Sequence, residues 1–532
     1  MTQTAKIIDK MRRGVQNVAY GNPLYQKILA SGDAPTKLHF TPSDLWPGDA
    51  QAGMGILSAQ ASMFDHDGPA PSTAMRHAAR TLRNLRAVGT DAARTASIKL
   101  IDGWIRTFDS WHETEWAPGV LGARIAAWIG FYDFYAPEAL PDFTPRLAAS
   151  LHRQWKHLAR TVPPSLTGIE GINAVRGLIY GGLNFPDGDK ALGLACDLLQ
   201  RQIAAEILPD GGHISRNPSA QLHMLRHLVD IRAVFELANI RLPESIGMAL
   251  GAMIPALKLF RHGDGGLALF HGANEETPLL IDAVLTQAST RGRVLRRLTD
   301  AGYERLTAGR SALIVDTAAP PPRAYGRDGH AGLHSFEFSS GRERIIVNCG
   351  GAPEGGNGAW RAACAATAAH STITVADTNA CDVGDDGGIT GTARASAQRF
   401  EEGGMHGIEM THDGYMHRFG LLHHRILRLS SDGETLAGRD ILQGRDGRAF
   451  ALRWHLHPGV QASLSQGEQT VLLRTASGAG WRLRVEGRPV VIESSIYCGG
   501  PTPRRTVQIK TTGMTGVGDT VVTWSLSRER KG

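Results

Sequence analysis

Two spacings of apolar residues divide this chain. From Ser72 onward apolar positions recur every three or four residues, as in helices that bury one face. Ala92–Phe108 sets Ile98, Leu100, Ile101, Trp104 and Ile105 in one stripe. Pro118–Tyr135, Thr144–Val162, Gly171–Leu183, Lys190–Ile207, Pro218–Leu237 and Ser245–Phe260 follow in the same style, with breaks such as Thr161-Val-Pro-Pro and Phe185-Pro-Asp-Gly between them. About eight antiparallel helices on short links predict a curved helical array. No strict repeat marks a solenoid. Before this array, residues 4–16 read as a short basic amphipathic helix and residues 33–72 as extended packing rich in Gly, Pro, Ser and Asp.

After Ser311 the period drops to two. Ala312–Asp316, Ser335–Phe338, Arg344–Val347, Ser371–Val375, Leu421–Leu429, Thr435–Asp440, Ala449–His455, Thr470–Leu473, Gly480–Val485, Val490–Ser494 and Gln508–Thr512 alternate between Gly- and Asp-bearing turns, and a last strand begins near Asp519. Many strands at short intervals without helices predict a large antiparallel sandwich. The turn Ser-Ser-Gly-Arg between Ser335–Phe338 and Arg344–Val347 signals a hairpin. The expected organisation is a lead segment over 1–71, a helical domain over 72–262, a connecting segment over 263–310 holding one last helix, and a sheet domain over 311–532. At 532 residues the chain exceeds one ordinary core.

Histidines stand at the edges of these strands. His330 and His370 flank the first pairs, with Asn348 at a strand end and Arg361 after Trp360. In the helical half, Leu208-Pro-Asp-Gly-Gly-His213-Ile-Ser-Arg216-Asn217-Pro218 forms a loop between two long helices. There His213 suits acid–base work and Arg216 a bidentate grip on a carboxylate. A Gly-rich turn is the alternative for both, and Asn217 before Pro218 makes a helix cap with Pro at N1. Asn173, near the start of Gly171–Leu183, has helix capping as its simpler role.

These residues resemble the heparinase II/III-like polysaccharide lyases. The family pattern Gly-His-x-His-x-Asp-x-Leu-Ser-Phe, a strand ending in Asp-x-Gly, Trp-Arg and a His-Asn-Thr strand start is similar to Asp328-Gly-His330-Ala-Gly-Leu-His-Ser-Phe336, Val347-Asn-Cys-Gly350, Trp360-Arg361 and His370-Ser-Thr372. The first His of the pattern is Asp328 here, and the strand-end Asp is Asn348. The resemblance implies an α+β multidomain chain, with an N-terminal incomplete α/α toroid followed by a C-terminal antiparallel β-sandwich. It implies a uronate lyase acting by β-elimination, with His213, His330, His370 and Tyr415 as catalytic candidates and Arg216, Asn217, Gln221, Arg361 and Asn173 as substrate-binding ones. The family's helix-start Asn-His pair is missing, and Ala220 and Gln221 stand where its helical Tyr is sought. His, Asp and His at the positions of His330, Asn348 and His370 can hold a structural zinc in that family; with Asn348 as the third group, no cofactor is the expectation. His412, His423-His424 and the pair His455 and His457 read as packed sandwich histidines, with a hidden metal pair as the alternative.

Composition narrows the partner. The formal net charge of +6, without a Lys/Arg run interleaved with aromatics, favours an acidic polysaccharide over nucleic acid. Five scattered cysteines with no CxxC pair predict neither a disulfide framework nor a zinc ribbon. No apolar run reaches membrane-spanning length, and the N-terminus lacks a signal-peptide core. The expected location is cytoplasmic, or the periplasm or cell envelope if a leader precedes this sequence. A homo-oligomer is compatible with all of this. Two rivals stand beside the lyase: a catalytically inactive carbohydrate-binding or scaffolding protein, and a glycoside hydrolase for which Glu170 and Asp210 are the carboxylates to check.

Overall fold

A computed structural model describes residues 16, 18–32, 35–63, 78–289, 292–445, 447–465 and 467–529. All but Gln16 of the 4–16 segment, and the cap position Ser72, lie outside the described residues. The chain forms two compact units: Met1–Glu206 with Arg226–Met248, and Ile207–Leu225 with Ala249–Gly532. This division differs from the expected boundaries at 262 and 310. The 207–225 corner and the connecting segment join the sheet unit because backbone ties hold them there. Asp210 accepts from the amides of Asp300 and Ala301 at 2.7 and 2.9 Å. Arg305 donates to the carbonyls of Leu259 and Arg261.

The first unit is helical, with Asp91–Phe108, Pro118–Gly130, Phe143–Thr161, Gly168–Gly182 and Gly188–Glu206 as its main elements. Pro118–Gly130 and Gly168–Gly182 meet through glycines: a Cβ on Gly177 would lie 2.4 Å from the Gly122 Cα, and one on Gly122 would lie 2.1 Å from the Asn173 carbonyl oxygen. Side chains elsewhere fill the core. Arg124 is wholly buried over the Trp104 ring at 3.8 Å, donating to the Glu115 carbonyl and to Gln154. Burial lowers its pKa to about 9, with Glu115 opposing. Pro218–Leu237 and Glu244–Leu259 each run across the division between units. Among the described residues, no helix is long and apolar enough to cross a membrane.

Among the described residues, the second unit carries two antiparallel sheets. Nine strands build the first, ordered Arg297–Leu298, Tyr303–Ala308, Ser311–Asp316, Phe336–Ser340, Glu343–Val347, Ala449–Leu456, Arg504–Met514 and Val491–Tyr497, with Ile373–Val375 on Ala449–Leu456. Eight build the second, ordered Gln461–Leu464, Thr470–Arg474, Gly480–Val485, Thr520–Arg528, Thr435–Gly444, Leu421–Ser430, Met405–His412 and Ala395–Glu402. Leu421–Ser430 alternates buried and half-buried residues along its whole length, as one core-facing side requires. The predicted hairpin forms, with Ser339 opposite Arg344 and Gly341 at φ 59° in its turn. The fold is therefore an incomplete α/α toroid followed by an antiparallel β-sandwich.

Aromatic side chains from both sheets fill the sandwich. Phe336 stacks on Trp524 with centroids 5.6 Å apart, and Trp454 meets Trp524 edge-on. Trp524 has room because its cross-strand partner is Gly438. A Cβ at Gly438 would sit 2.1 Å from the indole carbons. Gly438→Ala is expected to destabilise the protein by about 1–3 kcal/mol through overpacking, seen as a lower urea midpoint with an unchanged slope.

Candidate functional site

The corner between Gly188–Glu206 and Pro218–Leu237 meets His271 on one carboxylate, Asp316. Asp316 ends the strand Ser311–Asp316 and is buried. Its Oδ1 takes Arg216 Nη2, and its Oδ2 takes His271 Nε2 at 3.0 Å. Arg216 sits at φ 59°, in the left-handed region, a strained place for a non-glycine residue. The geometry turns its guanidinium inward, where Nε donates to Ala301 O, Nη2 to Gly302 O and Nη1 to Ala319 O. Tyr303 OH donates to the Arg216 carbonyl. Burial alone would raise the Asp316 pKa, but Arg216 and His271 hold it below the usual carboxylate value.

From Asp316 the network runs outward. His271 faces a carboxylate on Nε2 and receives the His330 amide on Nδ1 at 3.0 Å, so its proton resides on Nε2. Asn217 Nδ2 donates to the His271 carbonyl at 2.7 Å. His330 and His370 bond to each other, Nδ1 to Nε2, at 3.0 Å. His370 Nδ1 faces the Ala366 carbonyl at 2.9 Å and must donate to it. That leaves His370 Nε2 as acceptor, makes His330 Nδ1 the donor, and leaves His330 Nε2 unprotonated. Burial holds both rings below the ordinary imidazole range, with His370 lowered to about 4.

His330 lines a cavity of about 200 Å³ together with Gly272, Arg327, Asp328, Arg361 and the glycine-rich segment around Gly355. Its Nε2 lies 3.5 Å from where a Cβ on Gly272 would be. Arg361 is held there by Nε to Asp386 O and Nη1 to Gly356 O, and Trp360 beside it is 36% exposed. The cavity thus sets an unprotonated imidazole among two basic residues and one acidic one, a lining that favours an anion and can accept a proton at His330.

The other candidates lie differently. Arg216 was expected to grip a substrate carboxylate, but the carboxylate it binds is Asp316 of its own chain. Tyr415, a catalytic candidate, is fully buried and donates to Ile373 O at 2.8 Å. Gln221 is buried and donates to Gly211 O and Met253 O. Asn217 caps the next helix, accepting from Ser219 and Ala220 amides. His213 is buried with Nδ1 2.7 Å from Ser215 Oγ. Asn173 sits half-buried in the other unit. Of the hydrolase pair, Glu170 is exposed in the first unit, while Asp210, in the second, is tied to backbone amides. Sequence reasoning missed His271, Asp316 and Arg327. The one visible signal was His271-Gly272 in a glycine-rich run, now seen with both residues at positive φ.

The zinc implied by the resemblance does not fit these groups. Asn348 Oδ1 already accepts the Ser371 amide at 3.0 Å, and its Nδ2 has no lone pair to offer. A neutral, occupied amide in place of a carboxylate is a poor zinc ligand.

The buried imidazoles make stability pH-dependent. His370 is lowered to about 4 when folded and has an ordinary value near 6.5 when unfolded. The unfolded chain therefore binds more protons below about pH 6.5, and folding stability falls as pH drops toward 4. His370 alone contributes about 3 kcal/mol to that loss. His370→Gln should give a shallower decline of unfolding free energy between pH 6.5 and 4, measured by denaturant titration.

Comparison with known proteins places this arrangement. Residues 290–525 match the family model described as heparinase II/III-like, C-terminal. FtsZ-localized protein C of Caulobacter vibrioides is 30% identical over 511 residues, covering 89% of this chain and 87% of that protein. Among solved structures, heparinase III superposes with a TM-score of 0.67 at 15% identity, over 85% of this chain and 76% of the other. Heparan sulfate lyase HepC from Pedobacter heparinus superposes with a TM-score of 0.60 at 15% identity, over 86% and 76%. The structural likenesses carry the fold, and the extended sequence match carries the kinship: this chain belongs to the heparinase II/III-like family.

Proposed function

We propose that the chain is a polysaccharide lyase that cleaves an acidic, uronate-containing saccharide by β-elimination at the His330 cavity. The observation that supports this most is the proton order along Ala366, His370 and His330, which leaves His330 Nε2 unprotonated in a cavity with Arg327 and Arg361. Arg361 and Arg327 neutralise the uronate carboxylate, which acidifies the neighbouring C–H. His330 Nε2 takes that proton, the C–H electron pair forms the carbon–carbon double bond, and the glycosidic C–O bond breaks. Imidazolium at His330 then returns the proton to the departing oxygen. Its depressed pKa weakens it as a base but makes it a ready donor in this second half.

A second reading is favoured by the commitment of Arg216 and Tyr415 to the protein interior, and by a relative named for its location with FtsZ rather than for a reaction. In it the cavity binds an anionic saccharide without turnover, and the chain associates with FtsZ.

Incubation with a panel of uronate polymers and oligomers separates the two. The lyase reading expects ultraviolet absorbance from unsaturated uronide. His330→Ala should remove about 10²–10⁴ of the rate, and Arg361→Ala about 10–100-fold of kcat/KM. With His330 titrating well below 6.5, activity should not decline between pH 8 and 6.5. Saccharide binding without any unsaturated product, together with co-sedimentation on FtsZ polymers, would replace the lyase with the second reading.

A further inference from the structure

Away from the His330 cavity, three imidazoles converge between the two sheets. His334 lies two residues before Phe336–Ser340 of the nine-stranded sheet, while His412 ends Met405–His412 and His423 lies in Leu421–Ser430 of the eight-stranded sheet. One nitrogen from each lies within 4.8 Å of the others. The His334 ring centre is 4.8 Å from that of His412 and 6.0 Å from that of His423. All three are buried.

His334 is the telling residue. Neither of its ring nitrogens has a hydrogen-bond partner, although the side chain is fully enclosed. Its backbone is at φ 56°, in the left-handed region that a bulky residue occupies at a cost. A strained backbone holding an unpartnered polar ring in a dry interior is unfavourable twice over, unless something binds the ring. His423 is set up as a ligand from behind: Nε2 donates to Asp440 at 2.9 Å, which turns the Nδ1 lone pair toward His412 Nε2, 3.0 Å away.

We propose that His334, His412 and His423 hold one transition-metal ion of the zinc class, which staples the two sheets together. Two nitrogens at about 2.0–2.1 Å from a tetrahedral ion stand about 3.3 Å apart, close to the spacing of His412 and His423. The carboxylate–histidine pair of Asp440 and His423 is the outer-shell support that such ions use. His412 binds through Nε2 by moving its proton to Nδ1, at the expense of the 3.2 Å contact from the Gly414 amide. Water completes the coordination. Asp440 also accepts Arg425 Nε at 2.6 Å, so its charge is already balanced and the donor set is three neutral imidazoles. That set selects zinc, cobalt, nickel or copper over calcium or magnesium.

The test uses the full chain, stripped with chelator, reloaded with zinc(II) and dialysed. Metal analysis should find one ion per wild-type chain, one per His330→Ala chain and none in His334→Ala. Zinc should raise the unfolding midpoint of the wild type by roughly 5–10 °C and leave His334→Ala unmoved. Cobalt(II) titration of the wild type should give the visible bands of tetrahedral nitrogen coordination, which keeps the test independent of how the variant folds. Absence of those bands, no retained zinc, or an ion kept by His334→Ala but lost by His330→Ala would each overturn the site.

Discussion

A single buried carboxylate organises the chemistry of the sheet unit. Asp316 is out of water, so it stays charged only because Arg216 and His271 reach it together. Removing one partner of such a pair costs about 3–5 kcal/mol, because the other charge is left uncompensated. The bond therefore fixes the inward turn of the 208–217 corner. Through His271 it also fixes the His330 amide. His330 is thus anchored by its backbone on one side and by His370 on the other, and its free nitrogen is determined by groups two bonds away.

The sandwich interior repeats the scheme with Asp440. That carboxylate receives His423, Arg425 and Trp524 at 2.9, 2.6 and 2.9 Å. Arg425 in turn donates to the carbonyls of His334 and Ser371, so the charge pair ties the turn before Phe336 to both sheets. In each case the buried charges are compensated by an opposite charge, and backbone carbonyls take further donors of the arginine, which lowers the cost of burying ions. In the helical unit the buried Arg124 faces Glu115 at 3.7 Å and donates to the Glu115 carbonyl and to Gln154.

Periodicity made most of this fold legible. Predicted helices such as Lys190–Ile207 and strands such as Leu421–Leu429 match observed Gly188–Glu206 and Leu421–Ser430 to within about two residues. The hairpin of Ala395–Glu402 with Met405–His412 escaped because Ala395–Glu402 is an edge strand with no buried residue, so nothing alternates. Tyr303–Ala308 hid inside a segment read as helical linker. For the site, residue type was visible but direction was not. Arg216 read as a substrate grip because spacing says nothing of φ, and a left-handed backbone aims its guanidinium at Asp316. His330 and His370 could be paired from strand edges, whereas His271 and Asp316, about 45 residues apart, are joined only by tertiary packing.

The departure at Asn348 follows from its neighbours. Glu337 lies within a hydrogen bond of the Asn348 amide and of His262 Nε2, and burial raises its pKa to about 7. A second carboxylate at position 348 would stand beside one that already ionises with difficulty, and like charges in a dry site disfavour each other. Asn348 avoids that repulsion while its carbonyl still takes the Ser371 amide. Meanwhile His334, standing where the family pattern has Leu before Ser-Phe, puts a new imidazole four residues along the chain. His330 and His334 thus stand on a single stretch, His330–Phe336, held by Arg425 at the His334 carbonyl and by Asp316, through His271, at the His330 amide.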